Sequence, residues 1–120
     1  MPLGSSPDAA ARARSALAPL LEDVTDEQAG IVRLLTVELV ANGVLHAGGR
    51  LHLTVHRTPT AITVGVVDGA PLVPIRRRRG VLGLSGRGLR LLDDLATAWG
   101  TASHRSGKVV WFRLDLDPPS

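Results

Sequence analysis

Cysteine and tyrosine are absent from this sequence, and its aromatic residues come down to Phe112, Trp99 and Trp111. Without thiols there is no disulfide staple and no thiolate metal site, so apolar burial has to hold the fold, as suits a reducing compartment. Without a supply of aromatics there are few platforms for stacking bases, and direct binding of nucleic acid is not expected. No apolar run approaches the roughly 18 residues of a membrane-spanning helix, and the start MPLGSSPDAAARARSALAPLLED lacks the uninterrupted apolar block of a secretory signal. The expectation is a soluble, cytoplasmic protein with no membrane attachment.

What the chain does have is 120 residues, 44% of them hydrophobic, enough for one compact domain and too few for a second. The formal charge of +3 is modest, and much of it sits in one run, Arg76 to Arg79, between PLVP and GVLG. Such a run reads either as a solvated basic loop or as a lid facing an anion.

Residues 1–15 read as a flexible N-terminal segment, with the first ten frayed, followed by a domain over 16–117. The stretch DAAARARSALAPLLEDV supports a helix bent near Pro19. Thr25 followed three residues later by Gln28 has the form of a capping box, so a second helix should start at Thr25 and run to the paired glycines 48 and 49. The period then changes to two: Leu51, Leu53 and Val55 alternate with His52, Thr54 and His56, and AITVGVVD continues as a second, more buried strand, making a hairpin. From Gly69 to Ser85 there is no periodicity, and a long loop in a small domain points to function. GRGLRLLDDLATAWG resumes a helical pattern through Leu89, Leu92 and Trp99, and two short strands around Ser106 and Gly107 close the chain.

Within ELVANGVLHA, Glu38 and Asn42 lie four apart and share a helix face, flanked by Ile31, Leu34, Leu35 and Leu45. A carboxylate and an amide on the buried side of a helix cost about 1–3 kcal/mol each unless something polar meets them. Internal hydrogen bonds or a bound ligand would both serve. Asp68 ends the second strand, where an exocyclic amine could donate to it or where it could simply form a turn. Gly86 and Gly88 open the third helix, letting the backbone and its free amides approach an anion. The four histidines, His46, His52, His56 and His104, make no convincing metal site, and no serine, histidine and carboxylate fall in a nucleophile context.

Taken in order, E-x-x-x-N on a helix, a hairpin ending in aspartate, a loop, then G-x-G opening a helix resembles the GHKL ATPase superfamily. The likeness is greater to its anti-sigma-factor serine kinase branch and to related small actinobacterial ATP-binding regulators. ELVANGVLHA is similar to the family's N box, VVDGAP to its first glycine box, SGRGLRLLDDL to its second, and GKVVWFRL to its closing strand. The resemblance implies an α/β two-layer sandwich, with a mixed, mostly antiparallel sheet covered on one face by three helices. It implies Mg²⁺ on Asn42, Glu38 as general base, and adenine recognition at Asp68 with Gly69 and Ala70 beside it. It also implies phosphate binding at Gly86, Arg87, Gly88 and Leu89.

ATP with Mg²⁺ is then the expected ligand, and a sigma factor or an anti-anti-sigma-like antagonist the expected protein partner. Self-association as a homodimer is compatible with that reading. A non-catalytic nucleotide-binding module, or a lone sensor-kinase-type ATPase domain working with a separate protein, are the alternatives. The chain departs from the family pattern where Ala70 and Leu72 replace first-box glycines, and where Lys108 and Val109 follow Gly107 in place of a threonine.

Overall fold

The computed structural model describes residues 1–4, 8–46, 51–68, 86–104 and 107–116. Strand β1 (Pro2–Gly4) leads to helix α1 (Ala9–Leu17), a single 3-10 turn (Ala18–Leu21) and helix α2 (Asp26–His46). Strands β2 (Leu51–Thr58) and β3 (Ala61–Asp68), helix α3 (Gly86–Leu95) and strands β4 (Ala98–His104) and β5 (Gly107–Asp115) complete it. The strands form one five-stranded sheet in the order β1-β2-β3-β5-β4. Each pairing in it is antiparallel. The α/β sandwich expected from the sequence is therefore present, with a uniformly antiparallel sheet among the described strands where a mixed one was anticipated.

Alternation in the strands fixes which face is covered. Leu51, Leu53, Ile62, Val64, Val66, Phe112 and Leu114 are buried on one face, together with Ala13 and Leu17 of α1, Val32, Leu35, Leu39 and Val40 of α2 and Leu92 of α3. On the opposite face His52, Thr54 and His56 are exposed. A glycine there serves packing: a Cβ on Gly100 would lie 3.0 Å from the indole of Trp111, its register partner on β5.

α2 begins as its sequence indicates, with the Gln28 amide donating to Thr25 Oγ1 at 3.1 Å. Asp26 and Glu27 follow in the first turn, where their charge suits the positive end of the helix dipole. The glycines expected to end this helix lie outside the described residues. Proline ends α1 in the expected place: the α-helix stops at Leu17 and Pro19 sits in the 3-10 turn.

Two expectations change. The frayed start is instead a strand: the Leu53 amide donates to the Met1 carbonyl at 2.7 Å, the Met1 amino group donates to the Leu53 carbonyl at 2.8 Å, and Leu3 is completely buried. Ala9 and Ala13 are core residues too, so packing shows no break at residue 16. Gly4 makes the exit possible by adopting φ 75°, a left-handed conformation that glycine takes at little cost. The third helix ends at Leu95 rather than continuing through Trp99. Thr97 donates its amide to the Arg113 carbonyl at 2.8 Å, and the chain has already joined the sheet by Ala98. Trp99 then reaches back to α3, its indole N–H donating to Asp93 Oδ1 at 2.8 Å.

Candidate functional site

α2 is apolar over most of its circumference, so its core-facing side has to be read from packing. Ala29, Val32, Thr36, Leu39 and Val40 fall on that side and are buried. Glu38 and Asn42 lie away from it. Both are half-buried, and Leu34, expected beside them on a buried face, is 38% exposed. The two polar side chains therefore stand at the rim of the core, and the desolvation that made them conspicuous in the sequence is partial.

At that rim α2 meets α3, and Arg87 Nη2 lies 3.2 Å from Glu38 Oε1. Arg87 belongs to the first turn of α3, which Gly86 opens. A Cβ on Gly86 would meet no atom of the described residues within 4 Å. Gly88 is buried one step further on, and Leu89 packs against the core, which fixes the direction in which α3 presents its first amides. Asn42 lies one helical turn beyond Glu38, on the same side of α2.

Asp68 is the last residue of β3, half-buried, in register with Leu51 on one side and Lys108 on the other. Lys108, one of the departures from the family pattern, thus stands across the ladder from the expected adenine-reading carboxylate. The structure brings Glu38 and Arg87 together at the junction of α2 and α3, with Asn42 one turn along α2 from Glu38 and with Gly86, Gly88 and Leu89 in the same turn as Arg87. Gly69, Ala70, Leu72 and the run Arg76 to Arg79 lie outside the described residues.

An open cleft of about 490 Å³ among the described residues lies elsewhere. It opens beside the β2–β3 turn, at the end of the hairpin opposite Asp68, and is lined by Pro19, Asp23, Arg57 and Pro59 among others. Arg57 dominates it: Nη2 lies 2.9 Å from each oxygen of Asp23, Nε donates to the Leu20 carbonyl at 3.3 Å, and Nη1 donates to the Thr58 carbonyl. A guanidinium already engaged this way ties the 3-10 turn to the hairpin and has little left to offer a ligand. Sequence inspection gave no hint of this tie, because Asp23 and Arg57 are 34 positions apart.

Among the described residues no group of three or more histidine, cysteine or acidic side chains could hold a metal ion. That donor set suits Mg²⁺ only in company with a ligand, since this ion commonly takes one or two protein oxygens and completes its shell with phosphate and water. Asn42, one helical turn from Glu38, carries a carboxamide oxygen of the kind such a site uses.

A helix-backed antiparallel sheet, with a carboxylate of α2 meeting the arginine between the two glycines that open α3, is compatible with an ATPase-type nucleotide-binding domain. A family model, the histidine kinase-like ATPase domain, matches residues 3–114, and the chain belongs to that family. The match begins inside β1 and ends in β5, so it spans every element of the sheet. ATP binding is the property that membership implies. A search of curated proteins gave no significant match. No helix among the described residues is long and apolar enough to cross a membrane.

Proposed function

We propose that the protein binds Mg-ATP between α2, α3 and the end of β3 at Asp68, and transfers the γ-phosphate to a serine of a protein antagonist, in the manner of an anti-sigma-factor kinase. The observation that supports this most directly is the meeting of Glu38 with Arg87 at the opening of α3, with Asn42 one turn along α2. In this reading Asp68 would accept from the adenine amine, the first turn of α3 would face the phosphates, and Asn42 would hold Mg²⁺ through its carboxamide oxygen. The bound Mg²⁺ would supply charge neutralisation on the triphosphate. Glu38 orients the seryl hydroxyl and takes its proton as the oxygen attacks the γ-phosphorus and the bond to the β-γ bridging oxygen breaks, releasing ADP. A sigma factor or its antagonist is the class of partner the reading calls for.

A second reading, a non-catalytic module that uses nucleotide as an ordering ligand for partner binding, is favoured by Ala70 and Leu72 at positions where close backbone approach to the nucleotide calls for glycine. Calorimetric titration with Mg-ATP, Mg-ADP and metal-free ATP tests the shared part. Mg-ATP should bind, and withdrawing the metal should weaken it; a chain that binds none of the three is not a nucleotide-binding protein. Radiolabelled ATP then separates the two readings. Label on serine of a co-purified partner, reduced by roughly 10²-fold or more in Glu38→Gln, marks the kinase. Nucleotide and partner binding without label marks the module.

A further inference from the structure

Arg87 is an unfavourable residue for its position. It lies in the first turn of α3, where the aligned peptide dipoles already concentrate positive potential, so a cation there is disfavoured unless an anion faces it. The anion that faces it is the carboxylate of Glu38, 3.2 Å from Nη2. The two partners differ in exposure: the Glu38 side chain is 25% exposed, whereas the Arg87 side chain is 74% exposed. A pair so open to water contributes little to stability and exchanges readily. A phosphate carries more charge than a carboxylate and offers the guanidinium a matching set of oxygens, so it competes well for the same donor.

We infer that Glu38 is a resident anion that occupies Arg87 until the terminal phosphate of a nucleoside triphosphate displaces it, so that one exchange both senses the γ-phosphate and frees the carboxylate. This rests on the nucleotide reading given above and adds to it a regulation of the same site. With a diphosphate bound, no terminal phosphate reaches Arg87 and the carboxylate stays paired. With a triphosphate, the guanidinium turns to the phosphate and Glu38 is released to accept a proton. The carboxylate that does the chemistry is thus masked until the phosphate to be transferred has arrived.

The test is calorimetric titration of Mg-ATP and Mg-ADP into the full chain, Glu38→Gln, Arg87→Gln and the double variant. Thermal melting of each ligand-free protein serves as the folding control. Glu38→Gln should bind Mg-ATP about two- to fivefold more tightly, the range that an exposed ion pair can supply, and Mg-ADP unchanged. Arg87→Gln should weaken Mg-ATP, and in that background Glu38→Gln should no longer tighten it.

Tightening that persists in the double variant would show general repulsion between carboxylate and triphosphate, with no exchange at Arg87, and would overturn the inference. Equal changes for ATP and ADP would do the same, as would a loss of affinity for both in Glu38→Gln. If a variant fails to fold, the Arg87 guanidinium NMR signal of the parent decides: it should shift with Mg-ATP and stay in place with Mg-ADP, and an identical response to both rejects the exchange. A parent that binds Mg-ATP without this discrimination leaves the nucleotide reading intact and removes only the exchange; a parent that binds no nucleotide removes both.

Discussion

Thr36 is fully buried on the core side of α2, and its hydroxyl has no hydrogen-bond partner among the described residues. An orphaned hydroxyl in an apolar setting forfeits its hydration without compensation, whereas valine fills nearly the same volume with no polar group to satisfy. Thr36→Val should therefore stabilise the protein by about 1 kcal/mol, seen as a higher urea midpoint at unchanged slope. A lower midpoint would mean that the hydroxyl is satisfied after all. Asp68→Asn belongs at the same scale. It presents an NH₂ where the adenine amine needs an acceptor, and should weaken ATP and ADP alike by roughly tenfold or more, the loss of one charge-assisted hydrogen bond. Unchanged titration curves would release Asp68 from the adenine site. The opposite response of Glu38→Gln, tighter for ATP alone, keeps the two carboxylates distinguishable.

Among the elements, β1 carries the sharpest expectation. Leu3 is buried completely among α1 and the sheet edge, and Arg12 Nη1 donates to its carbonyl at 3.2 Å. Leu3→Ala should cost about 2–4 kcal/mol, the usual range for emptying a core leucine site, measured by urea unfolding. A cost below about 0.5 kcal/mol, typical of surface changes, would return the N-terminus to a frayed segment. The sequence concealed β1 because Pro-Leu-Gly is too short to show a period, and proline and glycine ordinarily punctuate structure. It announced α2, β2 and β3 because a cap at Thr25 and eight-residue alternations are local signals that tertiary packing has no cause to override. It misassigned Ala98 and Trp99 because small and aromatic residues fit either period. Glu38 and Asn42 were legible as a pair from their spacing, but their partner was not: Arg87 is 49 positions from Glu38, and only the packing of α3 on α2 joins them.

For the whole molecule, the β2–β3 hairpin separates two poles. Asp68 stands at one end and the Arg57 tie at the other, with the length of an eight-residue strand between them. Arg57→Gln removes the Asp23 contact and weakens the grip on the Leu20 and Thr58 carbonyls. It should lower stability by about 1–2 kcal/mol, within the range for breaking a partly buried hydrogen-bonded cluster. Nucleotide affinity should stay within twofold, because sites this far apart with no shared partners behave independently. Coupled losses of melting temperature and ATP affinity would show instead that the hairpin transmits strain between its ends.

The seam between β3 and β5 also governs how fast the sheet can assemble. β2–β3 and β4–β5 are hairpins whose ladders close across short turns, but the register from Asp68 with Lys108 to Ala61 with Asp115 joins distant stretches of chain. Everything from Gly69 to Gly107, α3 and Arg87 included, is the loop that this seam must close. Closure entropy rises only with the logarithm of loop length, about 0.6 kcal/mol per doubling. Lengthening the stretch between Asp68 and Gly86 should accordingly slow refolding modestly while leaving unfolding almost untouched, so that evolution could resize that stretch at small thermodynamic cost.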